Sequence, residues 1–270
     1  MNLLPDAIVP ARASVSPGSQ GQEETRVHNR LQHLALGLEE SRAFLAQVGA
    51  PVPLRARGAR AMRAFEERWF GHRSLARVRV LMTDLSARYE AFPSALGVLH
   101  GWPEAPPETR RLVCHWHLQL ADPLYRAFSG TYLPQRRAEG AVRVDPLAVR
   151  RWLRSQHPDR WGERSLGQFA GKLLAAATAA QLLTGAAGPR AFADPKVPDE
   201  ALEYLLYLLR EITLAGTLVD NPYLRSVGLV GLGLDLRLRA RRGVSLRRLG
   251  NAWELDFPHP SLAEWSEARR

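Results

Sequence analysis

Apolar residues recur at three- and four-residue steps along most of this chain, and a proline or glycine halts each run after a few turns. Such spacing places one stripe of a helix in a core, and the breakers keep each helix short. A stack of short helices is therefore what the pattern predicts. Leu31, Leu34, Leu38, Phe44, Leu45 and Val48 form the first stripe, closed by Gly49 and Pro51. Met62, Phe65 and Trp69 share one face of the next run. Gly71 ends that run, and Ser74 is placed to cap the next helix, its hydroxyl accepting from the first free amides. Leu75, Val78, Met82, Leu85 and Tyr89 are its inward stripe, with Arg77, Asp84 and Arg88 toward the other side. Leu112, Trp116, Leu120, Leu124 and Phe128 continue the inward series, until charge and Gly140 interrupt the period between Arg136 and Arg143.

In the second half, Asp145 before Pro146 is a helix start with the cap outside and proline in the first turn. Ser165 is expected to cap a further helix with Leu166, Phe169, Leu173, Ala177 and Ala180 inward, Gln168 and Lys172 opposite, and Gly185 at its end. An apolar helix follows Pro198 and Asp199. Beyond it, Leu234, Leu236 and Leu238, then Trp253, Leu255 and Phe257, approach alternation, with Gly243 and Gly250-Asn251 as turn signals. That segment reads either as a hairpin or as a helix followed by a two-stranded wing. The start of the chain has Pro, Ser, Gly and Gln without periodicity. The expected division is a mobile arm over 1–24, a helical domain over 25–140 and a second helical domain over 141–270.

Two segments resemble each other. Arg68-Trp-Phe-Gly-His-Arg-Ser-Leu75 and Arg160-Trp-Gly-Glu-Arg-Ser-Leu166 align when one residue is dropped, and each leads into a helix. A serine-started helix with basic residues near its N-terminus suits a phosphate, because free amides and the positive dipole end favour an anion. The net charge of +10 attracts polyanions in the same sense. Candidate contacts are Arg68, Arg73, Ser74 and Arg77 at the first segment and Arg164, Ser165, Gln168 and Lys172 at the second. Arg241, Arg242, Arg247 and Arg248 form a third group beside the expected hairpin. Solvated surface charge, or charge that protects an edge strand, accounts for the same residues without a ligand.

Other chemistries find little support. The chain has no phosphate-binding loop and no nucleophile elbow, and "GLVGLGLDL" does not match the dinucleotide fingerprint. Cys114, the single cysteine, lies in "CHWH", where His115 and His117 diverge on a helix and lack further ligands. Neither a catalytic residue nor a cofactor or metal is expected. The least polar runs are rich in alanine or carry Glu203, Arg210 and Glu211, which opposes a membrane span. A cytoplasmic protein is the expectation.

"LGLEESRAFLAQ", "WFGHRSLARVRVLMTDLSARYEAFP", "VCHWHLQLADPLYRAFSGTYLP", "YLLYLLRE" and "GNAWELDFPHPSLAE" together resemble the BrxA family of BREX phage-defence systems. The resemblance implies a mainly α protein of two helical lobes, the first like the antitermination factor NusB, the second winged-helix-like with a short C-terminal β-hairpin. It implies double-stranded DNA binding without catalysis, in an accessory component that works beside other BREX components and not in a membrane. An RNA-binding module and a protein scaffold remain alternatives at this stage.

Overall fold

In the computed structural model, residues 21–102, 104–240, 243–249 and 252–269 are described. The chain opens with α1 (Arg30–His33), α2 (Leu38–Gln47), a 3-10 turn (Leu54–Ala56) and α3 (Arg57–Glu66). Longer helices follow: α4 (Leu75–Tyr89), α5 (Pro93–His100) and α6 (Pro107–Ala121). Then α7 (Pro123–Ala127) runs through a π-helical turn (Phe128–Tyr132) into α8 (Leu133–Ala138). Proline opens α5, α6 and α7, where its missing N–H costs nothing. Asp122 caps α7 by accepting from the Tyr125 amide at 2.9 Å.

Next come β1 (Arg143–Val144), α9 (Pro146–Gln156), α10 (Glu163–Ala179), β2 (Leu183–Thr184) and β3 (Arg190–Phe192). The three strands are antiparallel, in the order β1-β3-β2, with Arg143 opposite Ala191 and Thr184 opposite Ala191 on the other side. Asp145 caps α9 as its sequence predicts, accepting from the Leu147 amide at 2.6 Å. The chain finishes with α11 (Asp199–Arg210), α12 (Pro222–Ser226), α13 (Gly231–Arg239), the β4–β5 hairpin (Ser245–Leu249 and Ala252–Asp256) and α14 (Leu262–Glu267). The fold is mainly helical with a small two-stranded sheet near its C-terminal end. A helix followed by two paired strands is the second of the sequence readings of that end; Leu234, Leu236 and Leu238 lie on α13 and not in a strand.

The core is one continuous cluster from Leu31 to Trp265. Its centre is α6, whose residues Leu112 to Ala121 are all buried, against α11, buried from Ala201 to Leu209. α14 packs on α5. The C-terminal helices thus return to the N-terminal ones, and the packing does not divide at 140/141. Between them, over residues 143–192, α9 packs on α10 and α10 on β2, and α10 joins the same core against α1.

Two further expectations are corrected. Residues 21–24 belong to the fold and not to an arm: Gln22 bridges Thr213, and the Glu24 amide donates to the Leu120 carbonyl at 2.8 Å. The Glu23 carboxylate, 7% exposed, accepts from the Tyr223 hydroxyl at 2.5 Å and the Ala215 amide at 3.1 Å. The rest of the expected arm, residues 1–20, lies outside the described residues. On α4, Asp84 and Arg88 are buried. The Arg88 guanidinium donates to the carbonyls of Leu36 at 2.6 Å and Ala35 at 2.9 Å, so the loop before α2 covers the face expected to meet water. On α3, Ala61 and Ala64 face α4, while Met62 and Phe65 are exposed.

Candidate nucleic-acid interface

The two similar segments flank α1, which packs against both α4 and α10. The Arg77 guanidinium of α4 donates to the His33 carbonyl at the end of α1, 2.9 Å away. The Arg160 guanidinium, just before α10, donates to the Val27 carbonyl ahead of α1, also at 2.9 Å. The repeated sequence therefore lies on either side of one four-residue helix.

At α4, Ser74 is the N-cap, with extended backbone and its Oγ accepting from the Arg77 amide at 3.3 Å. Arg73 is exposed ahead of it, and Arg68 is exposed in a left-handed conformation at φ 55°. Trp69 is half-buried and donates through its indole to Glu67 at 2.8 Å.

At α10 the same triplet lands one turn later. The N-cap is Gly162, so Ser165 sits inside the first turn, half-buried, and is not a cap. Glu163 occupies the first position and suits the positive dipole end. Its carboxylate accepts from Arg150 at 2.7 Å and from Arg154, which fastens α9 to α10 and pairs two of the arginines. Trp161 packs on Phe169 with ring centroids 4.6 Å apart and planes tilted by 43°, and the Arg160 guanidinium lies over the Trp161 ring at 5.4 Å, which fixes the approach to the helix.

The outer face of α10 carries Arg164, Gln168, Gly171 and Ala175 in exposed positions at helical spacing, with Gly167 and Lys172 half-exposed beside them. A Cβ at Gly162, Gly167 or Gly171 would meet nothing within 4 Å. These glycines are not forced by internal packing, although each in a helix interior costs about 1 kcal/mol relative to alanine. They leave a low, smooth surface between Arg164 and Lys172. Among the described residues, no side-chain partner accompanies Arg68, Arg73, Arg164 or Lys172.

The β2–β3 connection, residues 185–189, is exposed and carries no charge. It turns through Gly185 at φ 113° and Gly188 at φ 63°, both in the region that favours glycine. Arg190 braces it against α10, donating to the Leu174 carbonyl at 3.0 Å, to Thr178 Oγ1 and to the Ala186 carbonyl at 3.4 Å. Sequence reasoning missed this loop because strands of two and three residues leave no alternation to detect. Of the C-terminal arginines, Arg241 and Arg242 lie outside the described residues, and Arg247 and Arg248 fall within β4.

The "CHWH" histidines are buried and neutral, and hydroxyls and a carbonyl engage both of their ring nitrogens. Ser226 Oγ already donates to the Tyr223 carbonyl, so it accepts from His115 Nε2 at 2.8 Å, and Tyr125 donates to Nδ1 at 2.9 Å. His117 Nδ1 donates to the Arg88 carbonyl at 3.4 Å and Nε2 accepts from Tyr204 at 2.7 Å. Burial holds each imidazole down to about 3. Among the described residues no group of three or more ligating side chains could hold a metal, and no helix is long and apolar enough to cross a membrane.

No family model, no curated protein and no solved structure matches the chain.

Proposed function

We propose that this chain is a non-enzymatic protein that binds double-stranded DNA mainly through phosphate contacts, with α10 laid in the major groove. One observation carries the reading: a strand, two helices and a short hairpin, with strand order β1-β3-β2, present an exposed α10 face bearing unpaired cations and open glycines. This is the chain order of a winged helix, α10 standing as the recognition helix and residues 185–189 as the wing. A helix-turn-helix uses its second helix in this way. The smooth stretch at Gly167 and Gly171 lets the helix approach the duplex closely, and Arg164 and Lys172 reach the phosphates on either side.

In this reading the β2–β3 loop serves as the wing, and not the C-terminal arginine group. The fold favours DNA over RNA, because the deep, narrow major groove of A-form RNA does not admit a helix. Arg73 and Arg68 extend the positive surface across α1. The likeness to the BrxA family extends this proposal to an accessory role beside other BREX components, inside the cell; a neighbouring methyltransferase, large ATPase and phosphatase gene would support it. The NusB-like description of the N-terminal helices belongs to the same proposal.

The direct test is anisotropy of a labelled ~30-base-pair duplex at rising salt. Affinity is expected to fall steeply, with a log–log slope of about −0.9 per neutralised phosphate. Absence of binding at low salt for any duplex overturns the proposal.

A further inference from the structure

Two buried carboxylates face the short helix α1, and each has one oxygen to spare. Asp84 of α4 is 6% exposed, and its Oδ2 has no hydrogen-bond partner. Asp122 is 2% exposed; its Oδ1 caps α7, and its Oδ2 is likewise without a partner. A buried carboxylate oxygen that lacks a donor is costly. Each faces an imidazole. His33 Nδ1, at the end of α1, lies 3.5 Å from Asp84 Oδ2, and His28 Nδ1, just ahead of α1, lies 3.6 Å from Asp122 Oδ2. Asp84, Asp122, His28 and Arg88 also line one cavity of about 10 Å³, the lower limit for a single water. A hydrated ion does not fit there, whereas a proton does.

The charges acting on Asp84 are His33 and Arg30 from α1 and Arg88 and Arg77 from its own helix; those on Asp122 are His28 and Arg88. Arg88 and Arg77 spend their donors on the carbonyls of Leu36, Ala35 and His33. The Arg30 guanidinium lies 3.0 Å from His28 Nε2 and 3.8 Å from the Glu24 carboxylate. On α10, the other helix packed on α1, Glu163 is engaged with α9, and Arg164 and Lys172 stand on the outer face. Burial outweighs the positive neighbours and raises both carboxyls, so the folded chain holds protons there that the unfolded chain would release. His28 has a use for such a proton. Its Nε2 donates to the Ala121 carbonyl at 2.8 Å while Nδ1 accepts from the Arg30 amide at 3.4 Å. A proton on Nδ1 turns that acceptor into a donor toward Asp122.

We propose that α1 is held by a pair of proton-operated catches, His33–Asp84 toward α4 and His28–Asp122 toward α7. Each pair takes one proton from water and forms a hydrogen bond between Nδ1 and Oδ2. Without that proton a buried carboxylate oxygen has no donor. A proton held more tightly in the folded chain than in the unfolded one stabilises as pH falls, so the grip tightens toward mild acid and slackens as pH rises. Arg77 and Arg160 tie α4 and the approach to α10 to this same helix, so slackening loosens both. The device does not depend on nucleic-acid binding.

The test is amide exchange of Gln32 and Leu34, whose amides donate to the Asn29 and Arg30 carbonyls, measured on the full chain and corrected for the intrinsic pH dependence of exchange. Between pH 8.0 and 6.5 the contribution of His115 and His117 is constant. Protection of these two amides is expected to rise by about tenfold as pH falls across that range. Asp84→Asn/Asp122→Asn should be protected to the same degree throughout, and asparagine keeps the oxygen that caps α7. His33→Gln, at an exposed position that leaves the core intact, should keep less than half of the rise. His72→Gln, at an exposed histidine ahead of α4, should keep all of it. Level protection in the parent, or the parent's full rise in either His33→Gln or the double variant, overturns the proposal.

Discussion

The α4 and α10 starts share Arg-Ser-Leu and differ in what each residue does. At α4 the serine caps and the arginine three residues on is spent on the His33 carbonyl. At α10 a glycine caps, the serine is internal, and the charge left over stands on an open face. The difference comes from neighbours: Glu163 takes the first helical position and starts α10 before the serine, whereas no acid precedes Ser74. A short motif therefore fixes neither cap nor role, and the surrounding residues decide which serine caps and which copy leaves its charge on an open face.

Acid should separate the two regions most strongly. His115 and His117 have folded values depressed from 6.5 to about 3, so the unfolded chain binds protons first as pH falls. The stability they contribute is complete above about 6.5 and is lost on descent to about 3, on the order of 5 kcal/mol per ring. Burial raises the Asp84 and Asp122 carboxyls, which opposes this in part. Because His117 holds the Arg88 carbonyl, amide exchange is expected to rise in α4 before α10 between pH 6 and 4. Equal rise in both helices breaks the distinction.

Charge reversal comes next. Arg164→Glu/Lys172→Glu should weaken duplex binding by about a hundredfold at moderate salt and flatten the salt slope by about two, measured by anisotropy. Arg77→Glu should instead lower the thermal midpoint, since its guanidinium ties α4 to α1. If Arg77→Glu proves the worse for DNA affinity, the roles of the two starts are reversed.

Gly167→Ala and Gly171→Ala sharpen the contrast by setting stability against binding. Each should stabilise the protein by about 1 kcal/mol in denaturant titration, while the added methyl holds the duplex away and lowers affinity. Stabilisation with unchanged affinity removes the close-approach argument. The smallest effect is the pair of caps. Ser74→Ala should cost about 1 kcal/mol and Ser165→Ala nearly nothing, by the same measurement.

Helix starts were legible where two signals coincide, as at Asp145-Pro146, because each residue removes a different unsatisfied amide. At Ser165 one signal stood alone and a glycine three residues earlier took the place. Periodicity found the apolar face of α3 but could not say which way it points, since alanines on the neighbouring face pack closely enough to outcompete Met62 and Phe65 for α4. Arg88 shows the same limit for charge: a buried guanidinium is invisible in sequence until the carbonyls that receive it are known. The α10 cations were found, but the β1-β3-β2 sheet that orients their helix was not, because strands this short leave almost no pattern.

Glu23 reaches residues close to two hundred positions further on, at Ala215 and Tyr223. On the ribosome, that carboxylate must wait for some two hundred further residues before these partners exist. Closure at this point therefore follows synthesis of Tyr223, and a deletion that crosses Glu23 should cost the fold its tie to that distant segment.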